Sequence, residues 1–334
     1  METSEATGQS YKDRRTGLMV FGAGQILLGL LCLVGCLFTV AASLLSRGAA
    51  GGGPPDKFML AASLGLYGGL AVFFLWMGIG SLMGRRWARA LTLVVSIYWL
   101  IAGALVTLFV IFIVPRVMAS ALEAGGRFNA GSPPRASLLI ATVVLVALTA
   151  FFMILIPTAL VLFYRSPHVK ATCERLDPKE RWTDRVPLAV LALTVLLAAG
   201  GVKVFFLFAL PAYPVFGYLL KGPLAAMAYL VMAAVLWVLA VGVYRRLRWA
   251  WTATLALTLL GFVSGLVSFA RIGPEGWLEM VPTGPTPPGM EKVLGTMMPA
   301  IGILMAAGML AWLAFLLYVL RYFKQPPVPA EPGA

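Results

Sequence analysis

Eight long apolar stretches contain none of this chain's 13 acidic residues and only one of its 26 lysines and arginines, Lys203. That segregation fixes the solvent as a bilayer. About 20 apolar residues cross the roughly 30 Å hydrocarbon core as a helix, and inside it every backbone N–H and C=O must be paired within the segment. The expected fold is therefore all-α, a polytopic bundle of eight transmembrane helices. The spans are read at 17–45, 58–83, 90–114, 136–164, 188–210, 224–243, 250–270 and 294–320.

Basic residues flank these spans unevenly. With an even number of spans both termini share a side, and seventeen lysines and arginines fall on that side against eight on the other. The positive-inside rule then places both termini in the cytoplasm of a plasma (inner) membrane. The net charge of +13 would suggest nucleic acid in a soluble protein. Here the charges sit in short loops beside apolar helices, so the expected partners are membrane lipids and other membrane proteins, with no nucleic acid. The first span also follows a basic start, as a secretory leader would, but its apolar run continues from Leu37 to Leu45, so it is read as a permanent anchor.

An internal duplication is expected. Trp76, then Arg85-Arg86, Trp87-Ala88 and Thr92-Leu93 leading to Gly103, is echoed by Trp237, then Arg245-Arg246, Trp249-Ala250 and Thr254-Leu255 leading to Gly265. The offset is 161 for the first tryptophan and 162 from Trp87 onward. Pro133-Pro134 is matched by Pro287-Pro288, and Phe163-Tyr164-Arg165-Ser166-Pro167 by Tyr322-Phe323-Lys324-Gln325-Pro326. Four spans per copy make the copies parallel, related by a pseudo-twofold along the membrane normal. The organisation reads as a tail at 1–16, a first four-helix repeat at 17–165, a linker at 166–186, a second repeat at 187–325 and a tail at 326–334.

Arg85, Arg86, Trp87, Arg245, Arg246 and Trp249 suit membrane-interface anchoring, with charges among phosphates and indoles at the headgroup level. Gly80 with Gly84, and Gly261 with Gly265, form small-xxx-small patterns of the kind that lets helices approach closely in lipid. Gln25, the side-chain amide within a span, suits an interhelical hydrogen bond. Asp177-Pro178-Lys179-Glu180 resembles a helix start, in a linker otherwise read as a solvated basic loop. His168 and Cys173, five apart, are the nearest approach to a catalytic or metal pair, and they lack further ligands and an orienting shell.

Lys203 admits two readings. It lies 16 residues beyond Pro187, about 24 Å along a helix, near the outer edge of the core, from which its ammonium could snorkel. It could instead meet an anionic headgroup or substrate, with Tyr213 and Tyr218 as companions. No span carries a carboxylate, and no H-E-x-x-H, G-x-S-x-G or phosphate-binding glycine loop occurs. A non-enzymatic structural or regulatory subunit without a cofactor is the leading expectation. The alternative is a transporter or lipid-handling protein with an anionic-group site near Lys203. Gly84-Arg85-Arg86-Trp87-Ala88-Arg89 resembles the G-R-x-W-A-R juxtamembrane pattern of uncharacterised bacterial multi-pass membrane proteins, which implies a bacterial membrane and no activity.

Overall fold

The computed structural model describes residues 12–48, 57–124, 135–207, 210, 212–273, 276–277 and 290–324. Its helices are α1 (Arg15–Gly48), α2 (Lys57–Leu82), α3 (Arg86–Ala124), α4 (Arg135–Ala150), α5 (Ile156–Arg165), α6 (Pro167–Leu176), α7 (Leu188–Phe206), α8 (Pro223–Tyr244), α9 (Arg248–Arg271) and α10 (Met290–Lys324). Among the described residues, eight segments are long and apolar enough to cross a membrane, with α4 and α5 forming one of them. They are apolar on nearly every side because the outward face meets hydrocarbon in place of water.

A π-helical turn at Phe151–Leu155 joins α4 to α5, and its cause is local. Pro157 has no N–H to give the carbonyl of Met153, and its ring crowds that oxygen, so the helix widens there. Gly103 of α3 fills the resulting space, since a Cβ at that position would collide with the Met153 carbonyl. Trp99 Nε1 also reaches Met153 Sδ at 3.4 Å. α3 is thereby fitted to the irregular helix and not to a regular one.

Among the described residues, the most extensively packed helix pair is α1 with α2. A Cβ on Gly78 would stand 2.8 Å from the Gly22 carbonyl oxygen and 2.9 Å from the Ile26 nitrogen, so backbone meets backbone. Gly29 repeats the arrangement one heptad along, against Leu75. In α7, a Cβ on Gly201 would meet the indole of Trp237 from α8. Gly80 lies against Trp87 and Ala88, and Gly84 has φ +64° beneath Leu176. A Cβ on Gly261 would meet nothing within 4 Å, and one on Gly265 only Met305 Cε at 3.5 Å.

The linker differs from the solvated loop expected of it. Pro167 opens the helix α6, whose Val169, Thr172 and Cys173 are buried. Asp177 caps its C-terminal end instead of starting a helix, donating its backbone N–H to the Cys173 carbonyl. The proline signature that nucleates helix is real, but it sits at Pro167. There an inward apolar face packs on Leu18, Leu93, Leu160 and Tyr164, which Pro178 does not have.

A second difference follows α7, which stops at Phe206. Pro214 and a φ-positive pair, Phe216 at 46° and Gly217 at 86°, fold the next residues into an antiparallel hairpin, β1 (Ala212–Val215) with β2 (Tyr218–Lys221). Positive φ at both central positions is the turn that matches strand twist. Its tip is held to α9, where Ser264 and Ser268 hydroxyls accept from the N–H groups of Phe216 and Gly217 at 3.0 and 2.9 Å. The Pro/Gly-rich stretch after Arg271 lies mostly outside the described residues.

The α2–α3 and α8–α9 turns share one backbone pattern, with bonds Gly84 N to Ser81 O and Arg85 N to Gly80 O matched by Arg246 N to Val243 O and Leu247 N to Gly242 O. Gly84 therefore corresponds to Arg246, the two positive-φ residues, and the Arg245-Arg246 pair stands two residues earlier in its turn than Arg85-Arg86. Between the halves, α3 packs on α7 and α10, and α2 on α7. Among the described residues, the contacts a twofold would require, α9 with α1 and with α4, do not form close packing.

Candidate functional site

Two assemblies of side chains rise above ordinary helix packing. The first is a polar clasp on the side of the termini. Asp177, its side chain only 3% exposed, accepts from Arg181 Nε and Nη2 at 2.9 and 2.8 Å, and Arg85 Nη1 stands 3.5 Å away. Arg181 hydrogen bonding holds this carboxyl below the usual carboxylate range. Arg86 donates to the Pro178 carbonyl at 3.5 Å and faces Asp184 at 3.9 Å. From the other half, Arg246 donates to the Arg185 carbonyl at 3.3 Å and Tyr244 to the Trp182 carbonyl at 3.0 Å.

The clasp changes what the arginines do. Arg85, Arg86 and Arg246, expected to lie among lipid phosphates, instead bind the linker, so each half grips it by its own helix turn. Arg245 is exposed, Trp249 is half-exposed, and Trp87 stacks on Trp76 with ring centroids 4.3 Å apart. The signal that could have shown this was the pair Asp177 and Asp184, acids of the linker that meet Arg85 and Arg86 of the α2–α3 turn.

His168 and Cys173 do not form a nucleophilic pair. Cys173 is buried among Leu18, Leu160 and Val169, and burial pushes its thiol up to about 11, which opposes thiolate chemistry. The His168 carbonyl accepts from Thr172 at 2.8 Å, an ordinary helix contact. Among the described residues, no group of three or more His, Cys, Asp or Glu could hold a metal ion.

Lys203 sits in the last turn of α7 with its side chain exposed, and it makes no side-chain hydrogen bond or ion pair among the described residues. Tyr213 is half-buried in β1, edge-on to Tyr229 at 4.6 Å, while Tyr218 is 70% exposed. Tyr229 donates to the Ala212 carbonyl at 3.0 Å, which fixes the hairpin base. These tyrosines build the hairpin. Gln25 donates to Thr92 at 3.2 Å between α1 and α3, as an interhelical bond should.

The second assembly is a cavity of about 540 Å³ where α3, α7 and α10 meet, on the boundary between the halves. Its walls are aliphatic residues such as Ile97, Leu105 and Leu196, with Tyr98, Trp312, Phe315, Tyr318 and Tyr322, and among the described residues no charged one lines it. Trp312 is oriented by its indole N–H, which donates to Thr258 at 3.2 Å. Tyr98 and Ile101 are each 52% exposed and Tyr318 49%, so the cavity opens sideways as a groove. The size falls within the roughly 300–1,000 Å³ of small-molecule sites, and the lining suits a hydrocarbon chain. Lys203 is not part of it. Sequence reasoning missed the groove because its walls come from helices far apart in the chain. Comparison with protein-family models, with curated proteins and with solved structures gives no match.

Proposed function

We propose that this is a non-enzymatic multi-pass membrane protein whose two four-helix units hold the hydrocarbon chain of a lipid between them, serving as a structural or regulatory membrane subunit. The groove between α3, α7 and α10 carries the reading, because it is apolar, opens sideways and lies at the seam of the units. Handling of an anionic solute at Lys203 has less behind it, since the Tyr213 ring is packed edge-on against Tyr229.

The test uses Gly308, where a Cβ would meet only Leu105 Cδ1 at 3.9 Å, so a larger side chain enters the groove without striking backbone. Native mass spectrometry of the full chain in mild detergent is expected to show retained lipid, reduced about tenfold or more in Gly308→Leu. Equal retention by the two proteins would end the proposal.

The same reading places the chain in a bacterial plasma membrane with both termini inside, supported by the seventeen-to-eight basic asymmetry. A fluorescent protein fused at the C-terminus is expected to mature and glow, and a periplasmic phosphatase fused there to stay inactive; the reverse pattern would invert the topology. The duplication is supported by the matched turns at Gly84 and Arg246, with the copies side by side and without a twofold. Superposing α2–α3 on α8–α9 should align Arg86 with Arg248, and any other register would argue against it.

A further inference from the structure

Arg321 stands where the groove reaches the end of α10. Its guanidinium lies 3.8 Å from the ring centroid of Tyr318 and 4.7 Å from that of Tyr322, and Nη2 donates to the Tyr322 hydroxyl at 2.7 Å. Both tyrosines line the groove, so one stacked unit joins an apolar channel to a fixed cation. Among the described residues no carboxylate pairs with Arg321. An arginine held over aromatic faces keeps a planar fork of donors, suited to a phosphate.

Length identifies the occupant. Along α10 the lining runs from Gly308 to Tyr322, about 21 Å at the helical rise. One bilayer leaflet measures roughly 15 Å of hydrocarbon plus about 6 Å of headgroup region. The groove therefore spans one leaflet, that on the side of the termini, with its cation at headgroup depth and its apolar end near the midplane. A free anion would fit the cation and leave the channel unexplained. A neutral hydrocarbon would fit the channel and leave the cation unexplained.

We infer that the groove is a site for an anionic glycerophospholipid of the leaflet on the termini's side, its phosphate held by Arg321 beside Tyr318 and Tyr322 and one acyl chain lying between α3, α7 and α10. The inference rests on the lipid-holding reading and adds the headgroup to it.

The experiment is native mass spectrometry of the full chain with phosphatidylglycerol and phosphatidylcholine offered in equal amounts. Wild type should retain phosphatidylglycerol preferentially, and Arg321→Gln should cut that preference about fivefold, the worth of one basic group near an anionic surface. Raising the salt should erode the wild-type preference as well, which tests the charge without any substitution. A preference unchanged in Arg321→Gln or insensitive to salt overturns the headgroup assignment. If Gly308→Leu still excludes both lipids, the groove reading survives that loss. If Gly308→Leu excludes neither, the groove reading itself fails. Inorganic phosphate displacing phosphatidylglycerol would overturn the assignment in favour of a free-anion site.

Discussion

Gly78→Leu is expected to force α1 from α2 and to lower stability by about 3 kcal/mol, the upper end of the usual cost of overpacking. The reason is the nature of the atoms in the way. A Cβ on Gly78 would lie 2.8 Å from the Gly22 carbonyl oxygen and 2.9 Å from the Ile26 nitrogen, and backbone cannot rotate aside as a side chain can. The reciprocal substitution, Gly22→Leu, meets the Gly78 carbonyl and the Leu82 nitrogen, each at 3.0 Å, and should cost a similar amount. The two costs should not add, because either one already separates the helices. Gly69 is the control, since a Cβ there meets nothing within 4 Å. Gly69→Leu should leave the thermal melt in detergent almost unchanged, within about 0.5 kcal/mol. A Gly78→Leu chain melting beside the Gly69→Leu chain would show that this close approach does not hold the pair.

Asp177→Ala should cost about 2 kcal/mol, within the range for hydrogen bonds to charged groups. The loss stays short of that for a fully buried ion pair, because Arg181 and Arg85 are 31% and 40% exposed and can recover water. The pH dependence has a definite sign. The folded carboxyl titrates below its ordinary value of 3.8, so its contribution is complete above that value and is lost as pH falls through the lower, folded value. Wild type should therefore converge on Asp177→Asn in stability as the medium is acidified below about pH 4, and lie above it near neutrality. Thermal melts of the two proteins across that range make the comparison. A constant gap at every pH would mean that the side-chain shape, and not the charge, holds the linker.

The glycines show how far the sequence could be read. Gly261 and Gly265 have the spacing that thins a helix face, yet one is open and the other meets only the tip of Met305. Spacing says that a helix could be approached, and a neighbouring helix has to arrive for that to matter. Gly22, Gly29 and Cys36, at seven-residue intervals along α1, were the better signal. All three face α2, where Gly22 and Gly29 meet helix backbone and Cys36 Sγ lies 4.0 Å from the Leu64 carbonyl. The arginines tell a similar story. Arg-Arg-Trp at a helix entry was legible as a membrane-surface motif, but that its charge turns to Asp177, Pro178 and Arg185 depended on where the linker lay. The linker's place was set by the buried face of α6.

By itself the sequence determined the spans, because in hydrocarbon a segment must satisfy its own backbone hydrogen bonds, and that requirement is local to each helix. It also carried the charge asymmetry on which the proposed orientation rests, which is a sum over loops and independent of how helices pack. Tertiary structure alone decided the clasp and the groove. Helices in lipid gain little from one apolar neighbour over another, so their packing follows from shape: a glycine under a carbonyl, a π turn beside Gly103, a tryptophan held by Thr258. Those fits exist only between residues far apart in the chain, and the groove that joins an apolar channel to Arg321 is one of them.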